Sequence, residues 1–172
     1  IHPNGATFLG YQAGLANTPT PSSTLLTNTA IGFKALTTNT TGGDNTATGY
    51  GALQFNTTVA ALKGESNTAN GAYALQNNTT GKENTATGAN ALQNNKTGNS
   101  NTANGKGALQ TNITGGSNTA LGISALFSNT LGNYNTATGE SALRTNTSGN
   151  NNTATGSYAL FANTTGGSNA AV

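Results

Sequence analysis

Residues 84–100 read Asn-Thr-Ala-Thr-Gly-Ala-Asn-Ala-Leu-Gln-Asn-Asn-Lys-Thr-Gly-Asn-Ser, and variants of this stretch fill most of the chain. The opening Asn-Thr-Ala-x tetrad begins eight full copies, and a degenerate copy follows; the copies start at Asn28, Asn45, Asn67, Asn84, Asn101, Asn118, Asn135, Asn152 and Asn169. Successive copies are 17 residues apart, except for an interval of 22 residues after Asn45. A fixed period of this kind is the sequence signature of a repeat architecture.

The repeat unit is Asn-Thr-Ala-x-Gly-x-x-Ala-Leu-x-x-Asn-x-x-Gly-x-x, and its positions are numbered 1 to 17 below. A unit this short suits two short strands and two turns, which predicts an all-β chain folded as a parallel β-solenoid (β-roll) of about eight to nine rungs. Identical residues would then stack about 4.8 Å apart. The asparagine columns are expected to form amide ladders and the position-5 glycines to mark corners. The predicted structural ladder includes Asn45, Asn84, Asn101, Gly49, Gly88, Gly105, Leu53, Leu92 and Leu109.

The periodicity predicts a single repeat domain over residues 1–172. Residues 1–27 form a degenerate first rung, with the worn copy Thr7-Phe8-Leu9-Gly10 followed by a proline-containing loop. Residues 28–168 hold the eight repeats, with an insertion around residues 59–63, and residues 169–172 begin an incomplete rung.

The composition excludes several classes of protein. Thr, Asn, Ala and Gly make up 111 of the 172 residues, and charged residues only 6%. Low-complexity polar chains are often disordered, but a chain that never packs does not need Gly, Ala and Leu at fixed spacing. The net charge of +2 comes from scattered cations, which argues against a nucleic-acid partner. No apolar stretch approaches the roughly 20 residues of a membrane span.

The Ala-Leu pair at positions 8 and 9 suggests association between chains. Neighbouring residues of a strand point to opposite faces, so one column is expected in the core and the other on the surface. An exposed line of leucines favours a homo-oligomer packed along its length, and Leu92→Asp with Leu109→Asp would disrupt assembly or folding. The alternative is a bend at the Ala-Leu step that turns both side chains inward.

Two stretches, Asn28-Thr29-Ala30-Ile31-Gly32 and Asn118-Thr119-Ala120-Leu121-Gly122, resemble a known motif. It is the Asn-Ser-Val-Ala-Ile-Gly motif, with one residue deleted, of the head repeats of trimeric autotransporter adhesins; similar repeats occur in phage tail fibres and other surface fibres. The resemblance covers about residues 6–172. It implies a left-handed roll, a homotrimer, an extracellular or cell-surface location, and a position-4 face directed at neighbouring subunits. The unit here is longer than the family's, and position 4 is mostly polar, so that interface would be unusually polar.

The sequence offers no catalytic, cofactor or metal site. The single histidine, His2, is near the terminus, and the four carboxylates are 18 or more residues apart. We therefore predict a protein that is not an enzyme. Asn-x-Thr/Ser sequons recur at position 12, where turn and ladder chemistry is the stronger explanation, although some would be glycosylated in a eukaryotic secretory route; they begin at Asn39, Asn56, Asn78, Asn95, Asn112, Asn146 and Asn163.

A second hypothesis concerns the threonines at positions 2 and 4. Residues two apart on a strand share a face, and stacking repeats them at regular spacing. Such arrays resemble the ice-binding faces of solenoid antifreeze proteins; the candidate residues are Thr46, Thr48, Thr85, Thr87, Thr136, Thr138, Thr153 and Thr155. Ile31 and Leu121 interrupt the second column. A flat, solvent-exposed face would favour ice binding over the fibre hypothesis.

The first hypothesis is thus a structural module of an extracellular fibre or adhesin, attaching to a surface or building filaments. Variable residues at positions 6, 7, 10 and 11, several of them aromatic, would contact an unknown surface or glycan receptor. The chain stops within a new repeat, so we expect either a piece of a longer fibre or a head-to-tail filament. Its main partner would in each case be another copy of itself.

Overall fold

The computed structural model describes residues 5–17, 27–59 and 62–172, and it is an all-β solenoid of about eight turns. Ten of its strands form one parallel sheet, in the order β1-β2-β3-β6-β7-β8-β9-β10-β11-β12. The fold class predicted from the 17-residue period is confirmed. The strands are β1 Thr7–Leu9, β2 Thr29–Ile31, β3 Thr46–Thr48, β4 Thr58–Val59, β5 Leu62–Lys63, β6 Thr68–Asn70, β7 Thr85–Thr87, β8 Thr102–Asn104, β9 Thr119–Leu121, β10 Thr136–Thr138, β11 Thr153–Thr155 and β12 Ala170–Ala171.

Each rung contributes a single strand to this sheet; nine of the ten strands have three residues, at positions 2 to 4, and β12 has two. The expectation of two strands per unit was therefore wrong. The rest of the rung is a chain of turns, in which backbone groups still pair with the next rung; Leu92 N–H, for example, donates to Ala108 O at 2.9 Å. Stacking supplies hydrogen bonds that the short strands alone would lack.

The alanine and leucine columns both lie in the core. Ala91 and Leu92 are fully buried, and the same holds for each Ala-Leu pair from Ala35 to Leu143. The predicted exposed leucine stripe was wrong, and the alternative of a bend at this step is what the structure shows. The expectation that chains associate along their length was based on an exposed apolar stripe, and the described residues form no such stripe of leucines.

The bend is a left-handed backbone conformation at the leucine. The φ angles of the position-9 leucines are +49° to +52°, and most position-7 residues also have a positive φ. These angles interrupt the alternation of a strand, so the side chains at positions 8 and 9 both turn inward. A left-handed residue costs about 1–2 kcal/mol, and full burial of a leucine offsets this with about 1.5–3 kcal/mol.

Two columns of buried asparagines run along the solenoid. In the position-12 column, Asn95 Nδ2 donates to Asn78 Oδ1 at 2.8 Å and to Gly98 O at 2.9 Å. In the position-1 column, Asn84 Nδ2 donates to the same Gly98 O at 2.9 Å. The carbonyl at position 15 therefore ties the two ladders together within each rung, and nearly every buried amide finds its partners.

Two features of the backbone require glycine at the position-5 corner. Gly105 has a φ of +141°, and a Cβ there would lie 2.4 Å from the carbonyl oxygen of Gly122 in the next rung. The close approach recurs at this position along the stack until Gly139. Any larger residue would push neighbouring rungs apart.

The first rung differs from the later rungs at two core positions, and the two changes compensate each other in volume. Phe8 pairs in register with Ala30, at position 3, while Gly14 occupies the position of the core leucine. A Cβ on Gly14 would lie 2.5 Å from the Phe8 ring. The phenylalanine thus takes space that a leucine fills in later rungs. The proline loop predicted after this rung lies outside the described residues.

The five-residue insertion forms its own small hairpin. Strands β4 and β5 pair antiparallel, with Thr58 opposite Lys63. The ladder continues past it, because Asn56 Nδ2 still donates to Gly64 O, at 2.9 Å. The insertion therefore leaves the stacking of the rungs unchanged, and Thr46 pairs with Thr68 across it.

Candidate functional site: the threonine face

One side of the ten-stranded sheet presents the side chains of positions 2 and 4, and we call it the threonine face. The parallel register places equivalent residues directly beside one another on neighbouring strands, as for Thr85 and Thr102. The position-2 column consists of Thr7, Thr29, Thr46, Thr68, Thr85, Thr102, Thr119, Thr136 and Thr153. The position-4 column consists of Leu9, Ile31, Thr48, Asn70, Thr87, Asn104, Leu121, Thr138 and Thr155.

The threonine face is open to solvent in the single chain. Strands β7 and β8 have an exposed first residue and a buried central alanine, and the third residue is half-buried or exposed. The central alanine points into the core, so the two threonine positions must point outward. All eight predicted ice-binding threonines lie on this face.

Position 2 differs from the other repeated positions of the unit. In the repeats between residues 28 and 150, the side chains at positions 1, 3, 8, 9 and 12 are buried and stabilise the stack. The position-2 threonine is identical in all eight full repeats, yet it lies at the surface. It is therefore the one repeated side chain that core packing does not explain.

Position 4 is less regular than position 2. It carries threonine in four of the eight full repeats, and the others have Ile31, Asn70, Asn104 and Leu121. The two aliphatic side chains are partly exposed and interrupt a polar surface. The second column is therefore a mixed surface of hydroxyl, amide and methyl groups.

The threonine face carries no charge over the described strands of the sheet. The charged side chains occupy other positions of the repeat; Glu65 and Lys82, at position 16, form an ion pair of 3.1 Å. Both are more than one-third exposed, so the pair adds little to stability. Another neutral surface can approach the face without electrostatic repulsion.

The predicted ladder residues lie inside the solenoid rather than at a binding surface. The asparagines Asn45, Asn84 and Asn101 and the leucines Leu53, Leu92 and Leu109 are fully buried. The glycines Gly49, Gly88 and Gly105 occupy the close-packed corner. These nine residues hold the stack together and present no reactive group.

The sequon asparagines are also part of the interior. Six of the seven are fully buried, from Asn39 to Asn146, and Asn163 is half-buried. Their amide groups are engaged in the ladder, as in the bond from Asn112 Nδ2 to Asn95 Oδ1 at 2.8 Å. The folded chain therefore keeps the six buried amides away from a glycosylating enzyme.

A second surface feature is an aromatic stack beside the position-4 column. The ring centroids of Tyr11 and Phe33 are 5.5 Å apart, those of Phe33 and Tyr50 are 5.0 Å apart, and Tyr73 meets Tyr50 edge-on at 5.1 Å. The sequence analysis considered aromatics only as variable residues at positions 6, 7, 10 and 11 and did not pair them with one another. The signal it missed is that they recur at positions 6 and 7 of consecutive repeats.

The stack changes what these aromatic residues can bind. A sugar binds an aromatic side chain against the face of the ring, and the stacking of Tyr11 on Phe33 and of Phe33 on Tyr50 occupies some of these faces. On another part of the surface, one cation contacts two aromatic rings. The Arg144 guanidinium lies 5.2 Å from the Phe127 ring centroid and 5.9 Å from that of Phe161. The variable positions thus pack with one another along the rod.

The described residues contain neither a metal-binding cluster nor a membrane-spanning helix. No three of their His, Asp and Glu side chains lie close enough together to form a metal site. No helix in this part of the chain has the length and apolar character needed to cross a membrane.

Comparison with known proteins finds no matching family model, no similar curated protein and no similar solved structure. The resemblance to adhesin head repeats therefore rests on the repeated motif alone.

Proposed function

We propose that the chain is a non-enzymatic structural module of an extracellular fibre or adhesin, which packs against copies of itself through the threonine face. The observation that supports this is the position-2 column: threonine recurs in all eight full repeats although it is exposed and outside the core. A side chain repeated without a packing role in the monomer is expected where the surface itself makes contacts.

The chemistry of the face suits another copy of the same face. Threonine hydroxyls both donate and accept hydrogen bonds, so two identical columns can pair without a complementary partner. The face is uncharged, so self-association brings no like charges together. Ile31 and Leu121 add apolar area at two levels. A homotrimer remains the expectation from the adhesin resemblance, now with a polar interface and no contribution from the leucine column.

In this proposal the other faces display the variable residues. Positions 6, 7, 10 and 11 carry aromatic, charged and amide side chains, and they would contact a surface or a glycan receptor outside the cell. The stacked rungs supply a stiff support, since each rung is joined to the next through the sheet and both asparagine ladders.

The test places charge on the threonine face and, as a control, at an equivalent site elsewhere. Thr85→Lys with Thr102→Lys changes two exposed position-2 residues of neighbouring rungs. Thr97→Lys with Thr114→Lys changes two exposed position-14 residues of the same two rungs. Sedimentation equilibrium should show an oligomer for the wild type and the control, and a folded monomer for the Thr85/Thr102 variant. A wild-type monomer at high concentration, or equal masses for all three, would contradict the proposal.

Ice binding is the second candidate, and the exposure of the threonine face favours it. The position-2 column offers a methyl and a hydroxyl group at each strand, at the roughly 4.8 Å spacing of a parallel sheet. The position-4 column matches this in only half of the full repeats. A face that pairs with another copy of itself is also open to solvent in the single chain, so exposure alone does not reverse the order of the two hypotheses. We place ice binding second because only one of the two columns is uniform.

The same variants test ice binding. If the face binds ice, the wild type should partition into a growing ice crystal and show thermal hysteresis. Thr85→Lys with Thr102→Lys, or Thr87→Tyr, should abolish both effects, while Thr97→Lys with Thr114→Lys retains them. If the wild type is excluded from ice as an inert protein is, ice binding is contradicted. The fibre proposal is then tested by the sedimentation experiment alone.

A further inference from the structure

Tyr50 and Tyr73 form a close pair on neighbouring rungs. Their ring centroids are 5.1 Å apart with an interplanar angle of 71°. The Tyr73 backbone N–H donates to Tyr50 O at 2.8 Å, and this hydrogen bond keeps the two residues side by side on neighbouring rungs. The two rings meet edge to face. Tyr50 is 48% exposed, so an oxidant can reach its side chain from solvent.

The other three tyrosines have no such partner. Tyr11 stacks on Phe33, and Tyr158 contacts Phe161. Tyr134 is 65% exposed, more than Tyr50. Among the described residues, which include all five tyrosines, Tyr50–Tyr73 is the only ring contact between two phenols.

We propose that Tyr50 and Tyr73 are an oxidative cross-linking site, at which a one-electron oxidant joins two neighbouring rungs through a dityrosine bond. The oxidant class is a peroxidase acting with hydrogen peroxide. This modification is independent of the function proposed for the threonine face.

The chemistry balances as follows. Each phenol loses one electron and one proton, and the two phenoxyl radicals combine at ring carbons next to the oxygens. One C–C bond forms, and the hydrogens displaced from those two carbons return to the oxygens as both rings regain aromaticity. The chain loses two hydrogen atoms in total, and one hydrogen peroxide is reduced to two waters. Because the fold already holds the two rings in contact, coupling within the pair is favoured over coupling between molecules.

The position of the pair gives the bond a structural consequence. The chain between Tyr50 and Tyr73 contains the β4–β5 hairpin, the insertion that interrupts the 17-residue spacing. A covalent bond across this segment closes a loop in the unfolded chain and reduces its conformational entropy. The cross-linked protein should therefore unfold at a higher temperature than the untreated one.

The experiment treats the dilute full chain with horseradish peroxidase and limiting hydrogen peroxide. Dityrosine fluorescence measures the yield, and mass spectrometry of a protease digest maps the bond. Tyr50→Phe and Tyr73→Phe remove one phenol each and keep the ring. Tyr134→Phe and Tyr158→Phe are matched controls, because they remove exposed phenols outside the pair. The same reaction in denaturant removes the folded geometry.

The expected product is a monomer, two hydrogens lighter than the starting chain, with one cross-linked peptide joining residues 50 and 73. Either variant of the pair should abolish the monomer fluorescence, the two controls should retain it, and denaturant should remove the preference. Cross-links distributed according to exposure, with Tyr134 most reactive, would overturn the proposal. An undiminished yield in Tyr50→Phe, or oxidation without any bond between residues 50 and 73, would also overturn it.

Discussion

The leucine at position 9 shows how one backbone angle decides the surface of the whole molecule. With φ near +50°, Leu92 points into the core beside Ala91. In an extended conformation it would point outward, and eight leucines would form an apolar stripe. Leu92→Asp with Leu109→Asp should consequently prevent folding, because each change buries a carboxylate without a partner.

Two neighbouring glycines allow a test of the close approach between rungs. Gly105→Ala should lower the free energy of unfolding by about 2 kcal/mol or more, because its Cβ would meet a backbone oxygen that cannot move aside. Gly107→Ala should cost less, about 1–2 kcal/mol for the left-handed conformation alone, because φ is +68° and the nearest atom belongs to a flexible glutamine side chain. Urea unfolding followed by circular dichroism measures both. Equal losses would show that the rung spacing adapts to a Cβ.

The asparagine ladder should be sensitive to a single truncation. Asn95→Ala removes two donated bonds and the bond that Asn95 Oδ1 accepts from Asn112, and it leaves buried polar groups unpaired. We expect the free energy of unfolding to fall by about 2–4 kcal/mol. Asn94→Ala is the control, since Asn94 is half-buried and its side chain accepts one bond, from Asn77. A loss no greater than that of the control would mean that the ladder contributes little.

The Tyr50–Tyr73 pair predicts an alkaline titration that differs from that of an isolated tyrosine. Partial burial raises the pKa of Tyr73 above its ordinary value of 10.0, and the charge and hydrogen bond of Tyr50 raise it further. The folded chain therefore keeps this proton at a pH where the unfolded chain loses it. Its contribution to stability is fully present below pH 10.0 and is lost as the pH rises through the folded pKa.

Phenolate absorbance measures this titration. In the wild type, Tyr73 should titrate above the ordinary pKa of a tyrosine, and Tyr50→Phe should lower its pKa toward the ordinary value. Tyr134→Phe should leave the late step in place. A single transition for all five tyrosines would contradict the assignment.

At the scale of elements, the hairpin β4–β5 is expected to be dispensable. Deleting residues 58–62 leaves Asn56-Thr57-Lys63-Gly64, the same spacing as Asn95-Lys96-Thr97-Gly98. The Asn56 to Gly64 hydrogen bond can form in either case, and a shorter loop costs less entropy to close. Thermal unfolding of the deletion variant should show equal or higher stability. A strong loss of stability would mean that the hairpin packs on the rungs.

At the scale of the whole molecule, stability should depend on register more than on length. Deleting residues 101–117 removes one complete repeat and joins Ser100 to Asn118, which restores the pattern. The variant should remain folded, with its long dimension shorter by about 4.8 Å in small-angle X-ray scattering. Deleting residues 101–108 removes fewer residues but breaks the register, and it should unfold the neighbouring rungs. If both deletions behave alike, the rungs do not act as repeating units.

The period of 17 residues was enough to predict the parallel solenoid, the number of rungs and the stacked asparagine columns. These follow from the repeat, because identical residues in equivalent turns must lie above one another. The candidate threonine face could also be predicted, since residues two apart on a strand share a side. The aromatic stack could have been found from the same period had positions 6 and 7 been compared between repeats.

The direction of the leucine side chain depended on tertiary structure. An Ala-Leu step reads as alternation in a strand, and nothing local indicates that eight leucines adopt a left-handed conformation that leucine alone avoids. Burial of each leucine between neighbouring rungs supplies the energy for that conformation, and it exists only once the rungs are stacked. The repeat in the sequence therefore determined that the chain stacks, while the packing of the stack decided that the leucines fill the core and that the threonines are the repeated side chains left at the surface.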